Sequence, residues 1–444
     1  MKAVIRDKCE LKDSFIDVLG TIPKMWKLCR IKNVANVQRG GSPRPIEDYL
    51  TSEEDGFNWI KIGDTVKGSK YIDDVKQRIR KEGLSKTRLV RKGTLLLTNS
   101  MSFGEAYILN LDGCIHDGWV ALECNNNIRK EFLYYFLESE LCKKQFNLQV
   151  AGGVVQNLNV DKIGSTYIFL PNDTEQQHIV AYLDDRCSKI DAIIAEAKAS
   201  IEEYKELKQA LIYEAVTKGL DKNVEMKDSG IEWIGQMPKN WSSVRFSKVN
   251  WIRARLGWKG LKADEYVDEG YPFLSAFNIQ NNKLIWENTN HITIERYEES
   301  PEIKLQEKDI LLVKDGAGIG KCARIDNLPL GESTVNSSLA VITSNKLMNY
   351  KYEYFYLLSP IFQNVITRLK NGMGVPHLTQ EAMKEIVIPC PPIEEQTIIA
   401  DYLDDKMSKI DLVIATKQSL IEDLEAYKKS LIYEVVTGKR KVVA

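Results

Sequence analysis

The sequence predicts an α+β fold: two mixed α/β modules at opposite ends of an antiparallel two-helix coiled coil, with the halves related by a pseudo-two-fold internal repeat. Three observations predict it. Two long stretches repeat one another at constant spacing. Each carries an apolar seam of heptad type. The segments between them read as short alternating strands separated by turns.

The duplication comes first. Residues 182–217 read YLDDRCSKIDAIIAEAKASIEEYKELKQALIYEAVT, and residues 402–437 read YLDDKMSKIDLVIATKQSLIEDLEAYKKSLIYEVVT, at an offset of 220 without a gap. Glu175–Gln176 matches Glu395–Gln396, and Pro171 matches Pro391. A second block, SFIDVLGTIPKMW at 14–26, matches SGIEWIGQMPKNW at 229–241 at an offset of 215. The chain is therefore two copies of an opening motif, a variable stretch and a long helix. In order, residues 1–170 form the first module, 171–219 the first helical region, 220–241 a linker with the second opening motif, 242–390 the second module and 391–440 the second helical region.

The seam runs through Ile190, Ile194, Ala197, Ile201, Tyr204, Leu211 and Ala215 in one copy. In the other it runs through Ile410, Ile414, Ile421, Leu424, Leu431 and Val435. Lys208 and Lys428 interrupt it at the same register. Ser188 with Asp191, and Ser408 with Asp411, have capping-box spacing and predict helix starts there. A long amphipathic helix needs a partner for its stripe, and the other copy is the natural one. Thirty helical residues span about 45 Å.

The variable stretches contain strand-like runs such as TLLLTNS, AYILNL, DILLVKDG and SSLAVITS, followed by helical stretches near 131–146 and 352–369. Their expected loops carry basic, aromatic and hydroxyl side chains: Arg39, Ser42, Arg44, Trp59, Lys61, Arg78 and Arg80 in the first, and Arg253, Arg255, Trp258, Lys259 and Lys314 in the second. Such loops suit phosphate contact and base-edge reading. Charge separates accordingly. The net charge is −1, yet residues 171–219 and 391–437 are both acidic, which leaves a surplus of bases elsewhere.

The 444 residues are 43% hydrophobic and 28% charged, which excludes a fibrous or disordered chain. No apolar run approaches the roughly 18 residues of a membrane helix, and the charged start MKAVIRDKCELKDSF is unlike a signal peptide, so a cytoplasmic location and no membrane partner are expected. Eight cysteines without a CxxC pair and four scattered histidines argue against a metal centre. Asp315-Gly-Ala-Gly-Ile-Gly-Lys321 lacks the spacing of a phosphate loop and is followed by Cys322, so a hairpin turn is the better reading. Glu203-Tyr204-Lys205 has nuclease-like spacing but lies on the seam helix. No HExxH, GxSxG or amino-methyltransferase tetrapeptide is present, and no catalytic residue is expected.

The opening motif Gly-Ile-Glu-Trp-Ile-Gly-Gln-Met-Pro-Lys-Asn-Trp (230–241), Pro-Pro-Ile-Glu-Glu-Gln (391–396) and the duplicated YLDD…SKID…LIYE helices together resemble the specificity subunits of Type I restriction–modification systems. The first copy departs from the pattern, with Phe15 in place of glycine and no second proline after Pro171. The resemblance implies that each module is a target recognition domain reading one half of a bipartite, asymmetric site in double-stranded DNA. The helices set the gap and dock two modification subunits, which carry S-adenosylmethionine and methylate adenine. Restriction subunits, where present, use ATP and Mg. No cofactor is expected on this chain. Tyr213 and Tyr433, in the shared LIYE, are candidate docking residues. The competing reading is a coiled-coil adaptor that binds proteins through its modules.

Overall fold

The two stretches of helical periodicity form the longest elements, Asp173–Lys218 and Ile393–Val436. The structure, a computed structural model, describes residues 1–66, 68–100, 103–151, 157–255, 261, 265–316, 318–370 and 377–443. Both long helices begin well before Ser188 and Ser408, which corrects the expected starts. The physical start is upstream: the Gln176 N–H bonds the Asn172 carbonyl and the Gln396 N–H bonds the Pro392 carbonyl, both at 3.0 Å. The Asn172 side chain accepts from the Glu175 N–H at 2.9 Å, so asparagine caps the copy that lacks the second proline.

The chain divides into two compact units, Met1–Ala197 with Ser419–Ala444, and Lys198–Gln418. The first holds two five-stranded mixed sheets. One has the order Ala35–Arg39, Trp119–Cys124, Leu95–Thr98, Ala106–Leu109, Tyr71–Ile72. The other has the order Arg88–Val90, Gly113–Ile115, Phe57–Ile60, Gln77–Ile79, Leu50–Thr51. The second unit repeats the design with Asn250–Arg253, Leu339–Ser344, Asp309–Val313, Cys322–Arg324 in one sheet and Asn290–Ile292, Tyr271–Leu274, Thr334–Val335 in another. Asp309–Val313 alternates between cores on both faces and Leu95–Thr98 is buried along its whole length, which is why both read as unbroken apolar runs.

Each module is closed by its own ends. Lys27–Arg30 pairs antiparallel with Tyr167–Leu170, and Ser242–Arg245 pairs antiparallel with Val387–Cys390. The opening motifs fold as hairpins, Leu11–Asp13 with Thr21–Pro23 and Met226–Asp228 with Gln236–Pro238. Phe15 takes φ +57° where Gly230 takes +71°, so the left-handed turn survives the replacement of glycine, with the ring 92% exposed.

Within each unit the two helical segments run antiparallel. In the first, Lys428 reaches both carboxylate oxygens of Asp191 at 2.7 Å, while Arg6 joins the Gly438 carbonyl to Glu175. In the second, Lys208 meets Asp411 at 2.5 Å, while a Cβ at Gly219 would lie 3.1 Å from Glu395. The residues that interrupt the seam thus pair with the aspartates of the two capping-box spacings, which lie in mid-helix. Of the seam side chains, Ile190, Ile194, Ile421 and Leu431 are buried in the first unit and Leu424 is half-buried. Ile201 and Ile410 are buried in the second, and Tyr204, Leu211 and Ile414 pack half-buried on its core.

Candidate nucleic-acid interface

Both units gather the same set of loops at one end of their sheets. In the first, the Asn99 N–H bonds the Gly118 carbonyl at 3.0 Å and the Leu158 N–H bonds the Asn99 carbonyl at 3.1 Å. In the second, the Lys314 N–H bonds the Ser338 carbonyl and the Leu378 N–H bonds the Lys314 carbonyl, both at 2.9 Å. Strand ends in one place leave loop side chains free to vary on a fixed base.

In the first unit these loops converge on Asp117. The Ser42 hydroxyl donates to its Oδ1 at 2.8 Å, Arg44 approaches Oδ2 at 3.4 Å, and Arg39 Nε donates to its carbonyl at 3.0 Å. Gly40 has no side chain because a Cβ there would collide with the His116 carbonyl. Burial opposes ionisation of Asp117, but Ser42, His116 and Arg39 outweigh it and hold the carboxyl below its usual range. Burial pushes His116 down, Lys61 adds to that, and Asp117 opposes it. Lys61 is half-buried on an adjoining turn, with its N–H on Asp64 at 2.8 Å. Arg39, Ser42, Arg44 and Lys61 therefore share one site. Arg78 and Arg80 lie on and just after Gln77–Ile79, away from Asp117, where Arg78 donates to the Glu54 carbonyl at 2.5 Å and Arg80 is exposed.

The second unit departs from expectation. Arg253 is 5% exposed and donates to the fully buried Asp309 at 2.7 Å and to the Lys304 carbonyl at 2.8 Å, so it ties the sheet together and does not face a ligand. The Arg255 side chain is 5% exposed beside Glu299 at 3.7 Å and is likewise internal. Lys314 is mostly buried but points its ammonium at Asp315, 2.8 Å away, and the His377 ring bonds the other oxygen of that carboxylate. Burial works against the Asp315 anion, and Lys314 with His377 still holds its carboxyl below the usual range. Lys259 and Trp258 lie outside the described residues.

The Type I restriction modification DNA specificity domain matches residues 23–203 and 238–423. The chain belongs to this family. It is a DNA-recognition protein of the specificity-subunit type. The Type I restriction enzyme MjaVIII specificity subunit of Methanocaldococcus jannaschii is 24% identical over 97% of both chains. The EcoKI specificity subunit of Escherichia coli is 25% identical over 46% of this chain and 44% of its own. Among solved structures, the HsdS subunit of Thermoanaerobacter tengcongensis aligns with a TM-score of 0.53 at 16% identity, over 94% of this chain and 98% of its own. A chain from work on complex assembly of the type I R-M system aligns at 0.73 and 17%, over 94% and 99%. Specificity subunits are in general non-catalytic members of restriction–modification complexes, where they bind DNA alongside other subunits.

The specificity subunit's duplicated motifs have definite structural work. Trp26 Nε1 donates to Glu175 at 2.8 Å and Trp241 Nε1 to Glu395 at 3.0 Å, which locks each opening motif to the start of a long helix. Gln176 and Gln396 accept from the Arg129 and Asn349 N–H groups at 2.8 and 2.7 Å, at the head of each module's helix pair. Asp184 holds Lys70 at 2.5 Å and Asp404 holds Arg324 at 2.6 Å, so the first aspartates of YLDD anchor the modules. The sequence singled out the motifs but not these partners. Tyr213 and Tyr433 are half-buried, and Lys439 donates to the Tyr433 hydroxyl at 2.5 Å. Among the described residues no cluster of His, Cys, Asp or Glu is placed to hold a metal, and no helix is long and apolar enough to cross a membrane.

Proposed function

We propose that this chain is the address-reading subunit of a Type I restriction–modification complex, with each module reading one half of a bipartite, asymmetric DNA site. One observation carries the reading: two sheets of matching strand order offer the same loop ends, and those ends bear different side chains. Arg39, Ser42, Arg44 and Lys61 contact the first half-site, with Arg78 and Arg80 on the flanking backbone. Lys314, with Asp315 and His377, contacts the second. The long helices set the gap between the half-sites.

Two modification subunits dock on the outward helix faces, where Leu207 and Tyr427, equivalent positions of the repeat, are 44% and 51% exposed, with the half-buried Tyr213 and Tyr433 further along each helix. Those partners bring S-adenosylmethionine and a pocket for a flipped adenine. Restriction subunits bring ATP and Mg, and this chain, in the cytoplasm, supplies no catalytic group.

The test is an exchange of residues 27–170 for those of another specificity subunit, followed by mapping of methylated adenines. One half-site changes and the other stays. A change in both half-sites defeats the modular reading. Binding also weakens steeply as salt rises, because phosphate contacts release counterions; a flat salt response favours a protein adaptor.

A further inference from the structure

The second module carries a side chain that the reading above leaves unused. Strand Tyr271–Leu274 ends in a tight turn, Ala276–Asn278, fixed by reciprocal bonds: the Ser275 N–H donates to Asn278 Oδ1 at 2.9 Å and the Phe277 N–H donates to Ser275 Oγ at 3.3 Å. At its tip Phe277 is 89% exposed. The strand end beneath it is held near the Ser338 loop end, since the Leu274 carbonyl accepts from the Asn336 N–H at 2.8 Å.

A single exposed apolar side chain is ordinary. The support under this one is not. Asn278 is buried and donates onward to the Ile285 carbonyl and the Thr289 hydroxyl, both at 3.2 Å. The hairpin Ile279–Gln280 with Lys283–Leu284 braces the turn from behind. That hairpin is itself fastened, because Tyr354 donates to the Asn282 carbonyl at 2.7 Å and Lys283 reaches Asp411 on the long helix at 3.1 Å. Beside Phe277 lies a recess of about 220 Å³ lined by the amides of Gln280, Asn288 and Asn290 and by Glu287. Amides pair with adenine edges and a carboxylate accepts from cytosine, whereas the Glu287 charge repels phosphate. The first module builds the same turn, with the Lys61 N–H on Asp64, and places Gly63 near its tip. The turn is common and the tip differs, as expected of a residue that distinguishes two targets.

We propose that Phe277 is a base-stacking specificity determinant, whose ring enters a base-pair step of the half-site read by the second module while the amide-lined recess meets the adjoining base edges. This rests on the DNA-reading role proposed above. Insertion of an apolar wedge unstacks a step and lets the protein sense how readily that step opens.

The experiment uses the full chain assembled with its partner subunits and a randomised 60-base-pair duplex pool. The wild type enriches two motifs at a fixed gap. Phe277→Ala keeps one motif, loses sequence preference at adjacent positions of the other and binds roughly 5- to 100-fold more weakly, the range of one lost stacking contact. Phe277→Trp restores both. A duplex of the enriched sequence with 2-aminopurine at the affected step brightens with wild type and with Phe277→Trp, but not with Phe277→Ala. Two unchanged motifs with Phe277→Ala, or equal loss on both, overturn the proposal alone. No enriched motif with the wild type overturns the DNA-reading role itself.

Discussion

Glu353 shows how far a single residue can set a module's response to pH. It is fully buried, where the first copy has Leu133, and it accepts from the Ser344 hydroxyl at 2.5 Å and from the Asn250 amide. Burial raises its carboxyl to about 7, against the lowering effect of those two donors. A raised carboxylate binds a proton in the folded state that the unfolded state has already released, so stability falls as pH rises from about 4.5 towards 7. Glu353→Gln removes that loss. Its new amide has an acceptor waiting in Asn250 Oδ1, which is buried without a partner. The variant is expected to unfold at higher urea than wild type at pH 8, by an amount of order 1–3 kcal/mol, and to match it at pH 5. Equal midpoints at pH 8 would remove the buried anion from the account. None of this was legible from the sequence, because a lone glutamate on a helix reads as solvated until tertiary contacts bury it. Arg253 misled for the same reason: an arginine beside a strand end reads as a loop cation, and only Asp309, reaching it across the intervening strand Leu339–Ser344, makes it internal.

At the scale of the element, the helix pair was largely legible. Its seam and direction follow from period and duplication, and in each unit the segments run antiparallel; its length does not, because both helices start some fifteen residues before the expected caps. What failed was the meaning of Asp191 and Asp411. Spacing alone cannot tell a cap from a mid-helix partner, and the partners, Lys428 and Lys208, lie more than 200 residues away. A lysine in an apolar seam costs stability unless a carboxylate meets it, so the two pairs penalise any slipped register. Burial opposes ionisation of Asp411, and Lys208 and Lys283 more than compensate and lower its carboxyl from the usual range. The contribution is therefore present above the unfolded value of 3.8 and fades as pH falls through the lowered folded value. A double-mutant cycle of Lys208→Ala and Asp411→Ala should give a coupling of about 1 kcal/mol at neutral pH that shrinks in strong acid. Additive losses would mean the pair does not set register.

At the scale of the whole molecule, the division into constant frame and variable reader was legible, but the kinship of the readers was not. Strand order depends on pairings that diverged sequences still make, and Leu158 and Leu378, whose N–H groups bond the Asn99 and Lys314 carbonyls in matching places, are among the few residues the two readers share there. The helices carry their keys at equal intervals, Asp191 to Lys208 in one and Asp411 to Lys428 in the other. Removing seven residues within both intervals keeps each lysine opposite its aspartate and shortens the frame by about 10 Å. At 3.4 Å per base pair that is about three base pairs. Selection from a randomised duplex pool should then return both original half-sites with a gap about three base pairs shorter. Affinity should also fall, because three base pairs turn the half-sites by roughly 100° about the DNA axis while a heptad turns the helix back by only about 20°. Changed half-sites at the original gap would show that the helices do not measure the distance and that the modules find their spacing by another route.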